Sequence, residues 1–341
     1  MYGFLLAFAA AVLFAASVPA SKVLLQSLHP LQLAGLMYLG AAAAMTPVVS
    51  AERRRFGRVA LARANRARLT GVVVLGGMVA PILLLAAFRV ATAGAIALLL
   101  NLEIVATAVL GAILFHEHMG RSAWVGVAGI VAASALLCGE AGRSGIVATL
   151  LVAAACTCWG IDNHLSALID GMTPARSTLW KGAVAGATNL ALGVAAGPVT
   201  AGAAAVVGAV VLGAVSYGAS IALHTAAAQR VGAVRAQGVF ASAPFVAAAL
   251  SFAIFGEPVT ALQATAAAIL LISVVVLVAT EHAHQHPHGA VEHLHAHRHD
   301  DDHHRHEHEE VVTSEHTHWH RHEPVLHAHP HWPDLHHRHS H

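Results

Sequence analysis

Apolar runs of about 20 residues, the length that crosses a hydrocarbon layer, recur along the first 281 positions. Ten are read, near 3–25, 31–51, 69–88, 93–115, 122–138, 145–163, 174–196, 205–223, 234–255 and 260–279. Helices packed in a soluble bundle keep a polar stripe for water. Ten apolar runs joined by short loops leave almost none, so the pattern predicts an all-α membrane protein with ten transmembrane helices. The opening MYGFLLAFAAAVLFAASVPASKVLL has no basic residue ahead of its apolar run and leads into more membrane sequence. It therefore reads as a retained first helix and not as a signal peptide.

Composition separates this body from the C-terminal tail. The chain is 57% apolar and 11% charged, against about 25% charge in soluble domains. Residues 1–281 carry fifteen Lys or Arg against eight Asp or Glu, whereas residues 282–341 carry four against ten. Five histidines lie in the body and 23 in the last 60 residues. Three cysteines exclude a disulfide-stapled secreted domain. The basic residues match no RNA-binding or helix-turn-helix pattern, so nucleic acid is not an expected partner. Seven arginines, Arg53, Arg54, Arg55, Arg58, Arg63, Arg66 and Arg68, come after the second span. Positive loops stay inside, which places the N-terminus and, after an even number of spans, the C-terminal tail in the cytoplasm of a multi-pass plasma-membrane protein. Arg121, Arg176, Arg230 and Arg235 fall in inside segments of the same topology, with Arg89 and Arg143 outside.

An internal repeat divides the body. VLGAILFHEHM at 109–119 corresponds to ALSFAIFGEPV at 249–259, an offset of 140, and FAASVPASK at 14–22 to WGIDNHLSA at 159–167, an offset of 145. The units are 1–140 and 145–281, with the tail at 282–341. Five helices is an odd number, so the two units enter the membrane in opposite senses, the inverted arrangement that supports alternating access.

The ten-helix body, the FHEHMG end of the fourth helix, the FGEPVT end of the ninth and the CWGIDN segment resemble the drug/metabolite transporter superfamily, in the group built from two EamA domains. The resemblance covers about 280 residues. The first half departs from the Trp-Gly opening, with Phe14 and Ala15 where the second half has Trp159 and Gly160. The resemblance implies a carrier, not an enzyme, that exports small metabolites, amino acids or drugs by proton coupling or exchange.

Polar residues inside apolar runs are the candidate chemistry. Glu103 lies near the middle of the fourth span, where an ionised carboxylate is costly unless it meets a wet cavity or a partner, and it is the candidate to exchange a proton. Asn101, two positions before it, is read as bonding backbone. Asp162 and Asn163 beside Trp159 either line an inner vestibule or end the sixth helix. Trp159 suits the interface or stacking on an organic solute. Lys22 and Lys181 are the two lysines: Lys22 is expected to snorkel to water, and Lys181 to pair with Asp162 or hold an anionic solute. Ser216, Ser220 and His224 share a helical face at four-residue spacing, with Tyr217 beside them, and either line a pathway or bond backbone. Glu117 and Glu257 occupy repeat-related helix ends. Gly182 and Gly186 allow close helix approach. Cys156-Thr157-Cys158 lacks the two-residue spacer of a thiolate metal site and is read as packing.

The tail alternates His with other polar residues and has no apolar run, so disorder is its expected state. Imidazole favours Zn, Ni, Co or Cu, and His295, His297, His299, His303, His304, His306 and His308 are its candidate weak metal ligands. An unperturbed His titrates near about pH 6.5, so the tail is metal- or pH-responsive on this reading. No cofactor is required. The expected partners are the bilayer, a small organic solute or a transition-metal ion, and protons; oligomeric state is left open. Export of an organic metabolite or drug leads. Two alternatives stand beside it, export of a divalent transition metal delivered by the tail and a nontransport membrane metal sensor. A metal route needs ligands, and the body supplies only His29, His116, His118, His164 and His224, mostly at predicted helix ends.

Overall fold

The computed structural model describes residues 2–56, 63–114, 119–140, 142–169, 172–256 and 258–278, and the strand backbone at 283–288, 291–297, 316–322 and 325–330. Among the described residues the body is helical throughout. Its helices, numbered along the chain, are α1 (Tyr2–Leu24), α2 (Pro30–Phe56), α3 (Arg63–Ala87), α4 (Ala93–Leu114), α5 (Arg121–Glu140), α6 (Gly142–Ala167), α7 (Pro174–Ala196), α8 (Ala203–Val231), α9 (Ala233–Phe255) and α10 (Ala261–Val278).

Among the described residues, eight of these, all but α7 and α10, are long and apolar enough to cross a membrane. Ten such spans are expected from the sequence. Helix α7 has the length, 23 residues, but carries Arg176, Ser177, Thr178, Lys181, Thr188 and Asn189; several of these point inward and are buried. Helix α10 is apolar, and its described apolar stretch is Ala261–Leu277. Large apolar side chains such as Leu5, Phe8, Ile113, Val125, Leu150 and Ile272 face outward, as a surface against lipid requires.

The largest helix contacts cross between the first five helices and the second five. Helix α2 packs on α7, α5 on α10 and α4 on α9, each pair joining positions related by the repeat. Other contacts come in matching sets: α1 on α8 mirrors α6 on α3, and α4 on α6 mirrors α9 on α1. The α2–α7 seam needs glycine. A Cβ on Gly182 would lie 2.7 Å from the Tyr38 carbonyl oxygen, and one on Gly186 2.7 Å from the Leu39 amide nitrogen. Both neighbours are backbone and cannot rotate away.

Irregular turns also repeat. Helix α3 widens to π geometry over Val72–Val79 and α8 over Gly213–Ala219. Helix α4 is interrupted at Leu100–Asn101 and α9 at Ala241–Ser242. At each interruption a short polar side chain donates to the carbonyl three residues back, Asn101 Nδ2 to Leu98 at 3.0 Å and Ser242 Oγ to Val239 at 2.9 Å. Such local bonds compete with the helical ladder. One feature is not repeated. Helix α1 breaks at Ala16, where Pro19 lacks an N–H and its ring opposes the Ala15 carbonyl, whereas α6 is unbroken through His164 at the matching position.

In the tail the described backbone consists of four short strands, Ala283–His288 paired antiparallel with Val325–Pro330 and Val291–His297 with His316–His322. Alternation of His with other residues has the two-residue period of a strand. His295 and His297 lie on one of these strands; His299, His303, His304, His306 and His308 lie outside the described residues, as do His116, Glu117, His118 and Glu257.

Replacing Gly186 with Leu is expected to destabilise the protein by about 1–3 kcal/mol through overpacking of the α2–α7 seam. Gly197→Ala, at a site where an added Cβ meets nothing within 4 Å, is expected to stay within about 0.5 kcal/mol. Thermal melting in detergent measures both.

Candidate functional site

One face of α6 builds the site. Trp159, Asp162, Asn163 and Ser166 recur at helical spacing and turn the same way, and all four are buried. Helix α6 continues to Ala167, so Asp162 and Asn163 lie inside the helix and do not end it. Their polar groups are met by other helices, which is why the chain need not stop there.

Asn163 joins the two halves. Its Nδ2 lies 3.1 Å from Glu103 Oε1 and 3.1 Å from Thr107 Oγ1, both on α4, and 3.2 Å from Gln237 Oε1 on α9. An amide nitrogen has two hydrogens, so it serves two of these three acceptors at once. Thr107 also fixes the next residue of α6, because its carbonyl lies 2.8 Å from His164 Nε2. Glu103 opens the second segment of α4, one turn before Thr107, and the interruption at Leu100–Asn101 delivers it to the centre.

Asp162 is engaged on both carboxylate oxygens. Lys181 of α7 forms a buried ion pair with Oδ2, and Ser166 Oγ donates to Oδ1 at 3.1 Å. Of the two roles expected for Lys181, pairing with Asp162 is the one the geometry contains.

Beside the ion pair stands an unusual carbonyl. In the π turn of α3 the Ala80 amide bonds to Leu75, so the next donor in register, for Gly76, is Pro81, which has none. Tyr38 Oη from α2 and Trp159 Nε1 from α6 donate to Gly76 instead, at 2.7 and 3.2 Å. Asn189 of α7 donates to the adjoining Gly77 carbonyl at 3.1 Å. Gly76 itself lies so close to the Asp162 carboxylate that a side chain would collide with it.

Aromatic rings complete the surroundings. Tyr38 meets Tyr217 edge-on at 5.1 Å, Phe14 lies 6.0 Å from Tyr217, and Phe14 lies 5.4 Å from Phe240. The expectations for α8 therefore divide. Tyr217 joins the ring cluster, whereas Ser216 and Ser220 donate at 2.8 Å to the Leu13 and Ala10 carbonyls and fasten α8 to α1. His224, one turn further, packs its ring 4.8 Å from Phe240. Lys22, at the end of α1, is partly exposed. Its ammonium binds the Phe88 and Ala91 carbonyls at the end of α3, where a cation complements the helix terminus.

Tyr38, Thr107, Gln237 and the Gly76 carbonyl are the members that sequence reasoning missed. Gln237, a lone amide in an apolar helix, carries the same signal that exposes Glu103. A backbone acceptor created by Pro81 carries a signal too, since a proline within a predicted span always strands a carbonyl.

The ion pair makes a sharp stability prediction. Lys181→Met leaves the Asp162 carboxylate buried without its counter-charge and is expected to cost about 3–5 kcal/mol, much of it recovered in Asp162→Asn/Lys181→Met. Melting of the single and double variants tests this.

The profile of the EamA-like transporter family matches residues 1–139 and 146–279. No curated protein sequence matches the chain. Among 21 matching solved chains, one titled "Crystal structure of protein" superposes with a TM-score of 0.62 at 16% identity, over 80% of this chain and 94% of that one. That likeness concerns the fold. Two matched units covering nearly the whole helical body carry the assignment: the chain is a multi-pass membrane protein belonging to the EamA-like transporter family.

Proposed function

We propose that the protein exports a small organic solute by alternating access between its two five-helix halves, with Glu103 as the group that exchanges a proton. The observation carrying this reading is the Glu103–Asn163 contact at 3.1 Å. It sets an intramembrane carboxylate on one half against an amide of the other, at the point where relative motion of the halves would make and break it. Intramembrane carboxylates mark substrate and proton routes. Glu103 also has no ion-pair partner among the described residues, so a proton or a passing solute would settle its charge.

In this proposal all ten helices cross the plasma membrane, with the N-terminus and the tail in the cytoplasm. The arginine-rich segment after α2 supports that orientation. Trp159, Asp162, Asn163 and Lys181 shape the route, while Ser216 and Ser220 bond α8 of the second half to α1 of the first. The tail's imidazoles bind Zn, Ni, Co or Cu weakly and adjust activity with metal or pH, without forming part of the route.

Two measurements test the reading. In proteoliposomes with an imposed pH gradient, using labelled amines, amino acids and carboxylates as probes, the wild type is expected to accumulate at least one probe in proportion to the gradient. Glu103→Gln is expected to insert normally and lose that dependence; retention of gradient-driven accumulation would show that Glu103 is not the coupling group. Protein ending at residue 281 is expected to fold and keep organic flux while losing binding of nickel or zinc. Saturable, tail-dependent flux of labelled nickel, cobalt or zinc would instead identify a metal exporter, and metal binding without any flux a sensor.

A further inference from the structure

The contacts around Glu103 close into a circuit. From Glu103 the path runs to Asn163 and Gln237 at hydrogen-bond distance, and one turn along α9 to Phe240. It continues through Phe14, Tyr217 and Tyr38 by ring contacts. Tyr38 and Trp159 share the Gly76 carbonyl, and one turn of α6 leads from Trp159 back to Asn163. Within this circuit Glu103, Trp159 and Phe240 are 8% exposed and Phe14 9%, while Tyr38, Gln237 and Tyr217 are 1–3% exposed. An aromatic content of only 5% makes five rings in one place a concentrated feature.

The charges in and beside this circuit are unequal. The Lys181 ammonium is held by the Asp162 carboxylate, and those two cancel. Tyr38 and Trp159 direct their polar hydrogens at Gly76, so neither keeps a donor for an anionic solute. Glu103 has an amide neighbour and forms no ion pair among the described residues, the Lys181 ammonium being committed to Asp162. An anionic solute would have to break the Asp162–Lys181 pair to find a counter-charge, and a zwitterion would need that same ammonium for its carboxylate. A monovalent organic cation with a flat apolar body needs neither. Its charge answers Glu103, and its body lies against rings whose faces attract cations.

Building on the transport reading above, we infer that the solute is a monovalent organic cation, a protonated amine or quaternary onium, bound between Glu103 and the cluster of Phe14, Tyr38, Trp159, Tyr217 and Phe240.

The test holds the ring constant and varies the charge. Binding of phenethylammonium, phenylalanine and 3-phenylpropionate, with tetraphenylphosphonium as a second cation, is measured by calorimetry on the full-length protein in detergent. The two cations are expected to bind at least about tenfold more tightly than phenylalanine or phenylpropionate. Glu103→Gln is expected to erase that preference. Tyr217→Leu, which leaves every charge in place, is expected to weaken the cations about three- to tenfold without changing the order. Melting curves establish that both variants are folded, and Tyr217→Leu decides the matter should Glu103→Gln not fold. Equal binding across the charge series, a preference that survives in folded Glu103→Gln, cations as tightly bound by Tyr217→Leu as by wild type, or no binding of either cation overturns the inference. Flux of the same probes in proteoliposomes separates the two readings. Movement of phenylalanine or phenylpropionate but not of the cations keeps a transporter and discards the cation. Cation binding with no movement of any probe keeps the site and discards transport.

Discussion

Nothing in a bilayer's interior replaces a missing hydrogen bond, and the Gly76 carbonyl is where this constraint acts most sharply. Pro81 removes the backbone donor it would otherwise receive, and an unmet acceptor in hydrocarbon costs several kcal/mol. The tyrosine of α2 and the tryptophan of α6 meet it together. One stranded backbone atom thus fixes the positions of three helices, and the Asp162–Lys181 pair and the Asn163 amide are held in the space those helices define. The irregular turn is the anchor of the polar centre.

The two halves share an architecture but not a chemistry. Paired π turns, paired interruptions and contacts in matching sets give the body an approximate twofold relation. The polar face of α6 has no equal on α1, where Phe14, Ser17, Val18 and Pro19 stand at the positions of Trp159, Asp162, Asn163 and His164. The frame is therefore duplicated, while α6 of the second half brings the tryptophan, carboxylate and amide, and the first half answers with Glu103 and Tyr38.

Much of this frame is legible in the chain itself, because span length and alternating charge in loops are read one segment at a time. The 140-residue offset shared by FHEHM and FGEPV is enough to locate the repeat. Glu103, Asp162, Asn163 and Lys181 stand out because each interrupts an apolar run. Which groups they touch is a matter of helix pairing. That Lys22 meets the carbonyls at the end of α3, and that backbone bonding is the alternative Ser216 and Ser220 take, follows only from which helices lie beside them. The length of α6 is hard to read for a related reason: Asp and Asn end helices in water, but partners on α4 and α7 allow this one to run on. In the tail, the two-residue period of histidines passes for mere composition, although it also has the rhythm of a strand.

The cross-half contacts also order events in time. Glu103 emerges from the ribosome 60 residues before Asn163 and before the second half that supplies most of the neighbours of α1 to α4. At about 5–20 residues per second the first five helices wait on the order of ten seconds for these partners. During that interval the Glu103 carboxylate lacks its Asn163 partner, and the Gly76 carbonyl has the Tyr38 hydroxyl but not yet the Trp159 indole. Assembly of this carrier thus includes an interval in which its first half depends on the insertion machinery or on lipid to shelter the groups its own second half will later cover.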